Sequence, residues 1–226
     1  MPTTAVVLVC LPPDTPTTEL TATAIHRLTN TPHVGIDTVG HFTPRSRLRC
    51  WRPRTGLLPG DRGVTAGGPL RLLDLHTMQE TARVAAATRW SVWNRVVAGT
   101  PTAQPSWVFS DRHHTDPKRY SRDRAHRDYL SQPRIAAMRT YNTLPEKVTV
   151  LPLGDLEAFQ AGAGTYTNLG VLAAVPTDAM VTPDGGYLAP TSTRLADHLT
   201  YLEASHGQLR RLEGRDHLIA VATTLP

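Results

Sequence analysis

Cysteine is nearly absent: the 226 residues hold two, Cys10 and Cys50. Two thiols cannot build the disulfide framework of a small secreted domain, and a reducing compartment is expected. Lysine is equally scarce, with 2 against 22 arginines. That bias fits a GC-rich coding sequence, so abundant arginine is not by itself a sign of phosphate recognition. Aromatic residues make up only 6% of the chain. Long apolar runs are missing too. The longest near the start, AVVLVCL at 5–11, has no preceding positive charge. It is far short of a membrane span and lacks the charged leader of a secretion signal, so a cytoplasmic protein with no membrane segment is expected. GxGxxG, Walker A, HExxH, GxSxG and CxxC patterns are all lacking. The motif-borne forms of dinucleotide, P-loop, zincin and serine-hydrolase chemistry therefore have no footing.

What is present fits one domain spanning 1–226 and a core of ordinary size. The formal charge is +5. The surplus is local, because PRSRLRCWRPR at 44–54 carries five arginines and no acid. Such a balance permits a polyanionic partner.

The apolar run 5–11 reads as a buried strand, 17–29 as a helix and 33–40 as a second strand. Gly and Pro crowd the stretch that follows, and a mobile loop is expected over 52–69. Residues 74–98 have the clearest helical period, with Asp74 able to cap the start and Gly99 to close the end. SWVFS at 106–110 reads as a strand or extended entry. Helices are expected at 121–130 and 133–142, and an extended segment at 148–153. The stretch 155–175 is helix-prone, with a break near Gly162 and Gly164. A hairpin around PDGG (179–190), a helix over 192–212 and a final strand at 217–225 complete the chain. Strands at both ends with helices between them predict an α+β fold. Its small mixed or antiparallel sheet includes the N- and C-terminal strands and packs on the long central helix 74–98 and the C-terminal helix 192–212.

Two segments carry the functional interest. The first is SDRHHTDPKRYSRDRAHRD at 110–128, with three His, six Lys or Arg and four Asp. Imidazole and carboxylate side chains suit general acid–base work or a divalent metal at Asp111, His113, His114 and Asp116. An extended backbone over 107–113 sets Asp111 and His113 on one face and His114 on the other. A further ligand then has to come from His126, Asp37 or His41. The cations Arg112, Arg119, Arg122 and Arg127, with Arg134, suit an anion near a helix start, with Tyr120 or Tyr129 to stack on a base. The plain alternative is a solvated face whose charges pair at four-residue spacing, Asp123 with Arg127 and Arg124 with Asp128.

The second segment is the basic arm itself. Arg45, Arg47, Arg49, Arg52 and Arg54 can neutralise phosphates while Trp51 stacks on an exposed base. The alternation Arg47, Leu48, Arg49, Cys50 equally fits a strand with its arginines in water. Of the remaining features, Trp90 and Trp93 read as core. Residues 159–168 read as a helix break, and His198 and His206 as satisfied, partly buried histidines.

Two H-x-T triplets, HFT at 41–43 and HHT at 113–115, lie 72 positions apart. Together with the opening AVVLVCLPPDTPTTEL they make the chain similar to the 2H phosphoesterases. That resemblance implies His41 and His113 as acid and base, with Thr43 and Thr115 holding the phosphate. The chain departs from the family pattern in following the triplets with Pro44 and Asp116 rather than with apolar strand residues.

The leading expectation is a protein that binds DNA, RNA or another phosphate-rich ligand through 44–54 and 111–128. A hydrolase acting at Asp111, His113, His114 and His41, 2H-like or metal-dependent, is the alternative. A non-catalytic interaction protein is the third reading.

Overall fold

In a computed structural model, residues 4–45, 56–61 and 63–224 are described. The first apolar run forms β1 (Thr4–Leu11), and the last forms β6 (His217–Thr224). The two pair antiparallel along their whole length, from Thr4 opposite Thr224 to Leu11 opposite His217. Both are central in the sheet order β2-β6-β1-β4-β5. That position explains their largely apolar character, because Val7, Val9 and Leu11 are buried on one face and Leu8 and Cys10 on the other. The remaining strands are β2 (Val34–Thr38), β3 (Gly67–Pro69), β4 (Ala179–Val181) and β5 (Tyr187–Leu188). β4 runs parallel to β1 and folds back on β5, while β2 and β3 both pair antiparallel with β6.

Eight helices complete an α+β fold among the described residues. They are α1 (Leu20–Arg27), α2 (Leu75–Val96), α3 (Ser106–Thr115), α4 (Arg122–Leu130), α5 (Pro133–Thr143), α6 (Leu156–Gln160), α7 (Ala163–Ala173) and α8 (Leu195–Leu209). No described helix is long and apolar enough to cross a membrane. By internal contacts the chain forms two compact units. One comprises the chain up to Thr81, Leu172–Thr191 and everything from His198 on; the other comprises Ala82–Val171 and Ser192–Asp197.

In the sheet unit, α1 and the 3-10 turn that follows it lay Leu20, Ala24 and Leu28 on Val7, Val9, Ile219 and Val221. Each of the Leu, Val and Ile side chains, fully withdrawn from water, contributes about 1.5–3 kcal/mol. The Gly- and Pro-rich stretch expected as a mobile loop is tied down in its described later part. Thr65 exchanges backbone hydrogen bonds with Phe42, and Gly67 to Pro69 pair with β6. Glycine is needed there: Gly67 has φ +151°, and a Cβ would collide with the Leu218 carbonyl. Residues 52–55 of that stretch lie outside the described residues.

In the helical unit the core gathers Trp93, Phe109, Tyr129, Ile135, Met138, Phe159 and Tyr166. Trp93 and Phe159 stack at 5.1 Å and 6°. Trp90 donates its indole N–H to the Phe159 carbonyl at 3.0 Å. Both tryptophans thus serve packing. Gly162 (φ +105°) breaks α6 from α7 at the expected place. Gly170 permits close helix approach, since a Cβ there would sit 2.7 Å from that of Ala86.

Two expectations are corrected. Residues 106–115 form a helix, not a strand. A five-residue apolar run cannot distinguish the two by period, and here Phe109 is drawn onto Tyr129, 5.9 Å away between ring centroids. Residues 148–152 form no strand, and a single 3-10 turn, Leu153–Asp155, leads into α6.

Candidate functional site

The helical state of 106–115 decides what meets what. On α3, Ser106, Phe109, Ser110 and His113 follow the i, i+3, i+4, i+7 rule and share one face. On α4, Arg122, Ala125, His126 and Tyr129 follow the same rule. The two faces oppose each other, and with His114 they line a cleft of about 460 Å³. That volume lies within the range of small-molecule sites. Phe109, Ala125 and Tyr129 are buried along its apolar side. His114, Arg122 and His126 are exposed and His113 half-buried. No described Asp or Glu lines the cleft.

Local structure holds these groups in place. Ser121 caps α4 by accepting the Arg124 N–H at 3.3 Å, an interaction worth about 1 kcal/mol. Asp116 accepts the Arg119 N–H at 3.2 Å in the connecting turn. The Tyr120 hydroxyl donates to Asp128 at 2.8 Å. Desolvation first, and then that carboxylate, raise the Tyr120 hydroxyl above the ordinary phenol range. Tyr129 donates to the Leu153 carbonyl at 3.1 Å, and burial raises its hydroxyl as well.

The most informative contact is at His113, whose Nδ1 lies 2.9 Å from the Tyr120 carbonyl oxygen. A carbonyl only accepts, so Nδ1 carries the hydrogen and Nε2 of the neutral ring carries the lone pair. The His114 ring lies 5.6 Å from that of His113.

Three of the four acids of the segment are turned to other uses. Asp111 is exposed and pairs with Arg194 at 2.9 Å. Its backbone carbonyl accepts the Thr115 hydroxyl. Asp128 takes Tyr120 and, at 3.8 Å, Arg124. Of the two surface pairs expected on α4, the described ion pairs include the Arg124–Asp128 pair and not Asp123–Arg127. Arg112 donates to Gln104 at 3.3 Å and sits over the Phe109 ring. The guanidinium groups of Arg119, Arg122 and Arg127 make no side-chain hydrogen bond or ion pair among the described residues. Among those residues no three of His, Cys, Asp and Glu are grouped to hold a metal ion. Asp111, His113, His114 and Asp116 therefore form no ligand set: on a helix Asp111 and His113 fall on different sides, and Asp116 serves the turn.

Other residues singled out from sequence have different places. His41 belongs to the sheet unit, where Nε2 donates to the Val175 carbonyl at 2.9 Å and the ring meets Phe42 edge-on. Burial lowers its pKa, partly offset by that bond. Of the two H-x-T triplets, one thus lies beside an isolated bridge between Phe42 and Thr65, and the other forms the last turn of α3. Arg134 donates to the Thr100 carbonyl and to Gln160 and lies over Trp93. It is a packing residue. Arg45 donates to the Leu73 carbonyl at 3.2 Å. Arg47, Arg49, Trp51, Arg52 and Arg54 lie outside the described residues.

Sequence reasoning missed Ser106 and Ser110 on the cleft face, and the helical spacing from Phe109 was their only signal. It also missed Arg194, 83 residues from Asp111, for which no local signal exists. A larger cavity of about 1000 Å³ in the sheet unit is lined by charges of both signs, Asp14 and Glu213 against Arg71 and Arg215. It has no comparable bias toward one kind of ligand.

Compared with known proteins, the chain matches no family model, and no curated protein or solved structure is significantly similar to it.

Proposed function

We propose that this protein binds nucleic acid, gripping the phosphate backbone at the α3–α4 cleft. One observation carries the reading: Arg122, His113, His114 and His126 converge on a cleft that no described carboxylate lines. Arg119 and Arg127 extend the cationic surface along the same segment. Of the acids interspersed with them, Asp111 is spent on Arg194, Asp116 on the Arg119 N–H and Asp128 on Tyr120, while Asp123 is exposed and makes no side-chain hydrogen bond or ion pair among the described residues. The arginines of 44–54 add five positive charges by sequence, which supports long-range attraction of the same ligand.

Binding of labelled, mixed-sequence single-stranded RNA and DNA, followed by anisotropy at 50 and 200 mM salt, tests the proposal. Affinity is expected to fall with salt, by a log–log slope of about 0.7 per phosphate contacted. The double variant Arg119→Ala, Arg122→Ala should bind more weakly and with a shallower slope. Salt-independent binding, or a double variant that binds like the parent, overturns the assignment.

A further inference from the structure

We propose that the α3–α4 cleft also cleaves single-stranded RNA, passing the phosphodiester to the neighbouring 2′-hydroxyl, with His113 as base and His126 as acid. The inference rests on the nucleic-acid reading above and adds chemistry to it.

The argument begins with what the cleft contains. Its groups able both to take and to give a proton are imidazoles, since no described carboxylate lines it. The hydroxyls of Ser106 and Ser110 make no hydrogen bond to a ring nitrogen among the described residues, so neither is activated as a nucleophile. RNA brings its own nucleophile, adjacent to the phosphorus it attacks. The proximity that makes such an intramolecular step fast is then supplied by the substrate.

The two rings stand on different helices. His113, on α3, is held with its Nδ1 hydrogen on the Tyr120 carbonyl at 2.9 Å, which leaves the Nε2 lone pair to accept a proton. A backbone carbonyl behind one nitrogen is the arrangement that fixes both tautomer and ring orientation in working histidines. His126, on α4, is exposed and has no hydrogen-bond partner of its own among the described residues. Arg122 is one turn before His126 on the same face, placed to hold the non-bridging phosphate oxygens.

The step balances without any co-reactant. Nε2 of His113 takes the 2′-hydroxyl proton as the 2′-oxygen bonds to phosphorus. The bond from phosphorus to the 5′-oxygen breaks, with its electron pair leaving on that oxygen. Protonated His126 gives that oxygen its proton. The products are a 2′,3′-cyclic phosphate and a 5′-hydroxyl. The two rings then recover their starting states by proton exchange with water.

The test uses the full chain and a labelled single-stranded RNA in EDTA, with products read by mass spectrometry. Fragments ending in 2′,3′-cyclic phosphate and 5′-hydroxyl are expected. An all-DNA strand of the same sequence should bind and stay intact. His113→Ala and His126→Ala should each lower the cleavage rate at saturating RNA by about a hundredfold or more. His113→Asn keeps a donor for the Tyr120 carbonyl, so it separates loss of the base from loss of local structure, and it should be as slow as His113→Ala. His76→Ala, an exposed histidine on α2, should cleave at the parent rate. Failure to bind RNA or DNA defeats the binding reading and this one together. RNA that binds but stays whole, fragments bearing 5′-phosphates, a need for added metal, or His113 variants that cut at the parent rate defeat this inference alone.

Discussion

The Asp111 carboxylate meets the Arg194 guanidinium at 2.9 Å, and that guanidinium lies 4.5 Å from the centre of the Trp107 ring. Both charged side chains are about half exposed, so the pair adds less than about 1 kcal/mol to stability. Its consequence is electrostatic: an acid next in sequence to the cleft-lining Ser110 is neutralised. Arg194→Ala should weaken RNA binding roughly twofold at low salt, and Asp111→Asn should strengthen it by a similar factor. Anisotropy measurements on the two variants check this. A collapse of binding in Asp111→Asn contradicts it.

Phe159 is sandwiched between Trp93 at 5.1 Å and Tyr166 at 4.2 Å. It is the largest fully buried side chain of the helical unit. Phe159→Ala should cost about 3–5 kcal/mol through lost burial and the cavity left behind. The midpoint of urea unfolding reports it, and a change below about 1 kcal/mol means the stack is not the centre of the core.

Acid should destabilise the sheet unit. His33 is buried, with Nε2 2.8 Å from the Tyr187 hydroxyl and Nδ1 3.0 Å from the Thr223 hydroxyl. Thr223 donates its own hydrogen to the Ala5 carbonyl. It therefore accepts from Nδ1, and Nε2 accepts from Tyr187. Burial lowers the His33 pKa, as it does that of His41. The unfolded chain thus binds more protons, and stability rises with pH across the window. The contribution is complete well above about pH 6.5 and is lost as pH falls through about 6.5 toward the lower folded-state values. Urea midpoints at pH 7.5, 6.5 and 5.5 should decline in that order, and His33→Gln combined with His41→Gln should flatten the decline. An unchanged slope in the double variant removes both histidines as the cause.

Cys10 should be chemically silent. Burial pushes its thiol up to about 12, with Arg27 acting only partly against the shift. In a Cys50→Ser protein, a disulfide reagent at pH 8 should label nothing until guanidinium unfolds the chain. Prompt labelling of the folded protein rules out the packing of β1 between its neighbours.

Gly67→Ala should destabilise by at least about 1–3 kcal/mol, because φ +151° is hostile to a side chain and the added carbon would meet the Leu218 carbonyl. Gly63→Ala is the natural comparison, since a Cβ there has open space although φ is +82°. It should cost less, and thermal melts of the two variants rank them.

Much of the fold is visible in local pattern. The runs at 5–11 and 217–225 read as strands because burial on both faces keeps them largely apolar, with His217 and Thr223 as hydrogen-bonded polar exceptions. The helix at 74–98 reads through its period and its Asp74 and Gly99 ends. Asp74 does cap it, accepting the Thr77 N–H at 3.1 Å. The break in 155–175 follows from Gly162, and the hairpin at 179–190 from its PDGG turn. In each case the deciding interaction lies within a few residues.

The cleft was only half legible. Its residue types were visible in 110–128, but their arrangement was not, since SWVFS carries too short an apolar run to choose between helix and strand. A strand would have grouped Asp111 with His113; a helix groups Phe109 and Ser110 with His113 and sends Asp111 to Arg194.

The amino-acid order alone determined where backbone groups pair with near neighbours and which segments must leave water: strand, helix, turn and the α+β class. Tertiary structure alone decided that α3 is a helix and that its face meets that of α4. It decided too that Asp111 is neutralised from 83 positions away, and that His41 is spent on the Val175 carbonyl. The reason is physical. Propensity and period record how one segment meets water, whereas a site is made by segments meeting each other, and the free energy of that meeting is distributed over contacts that no single stretch contains.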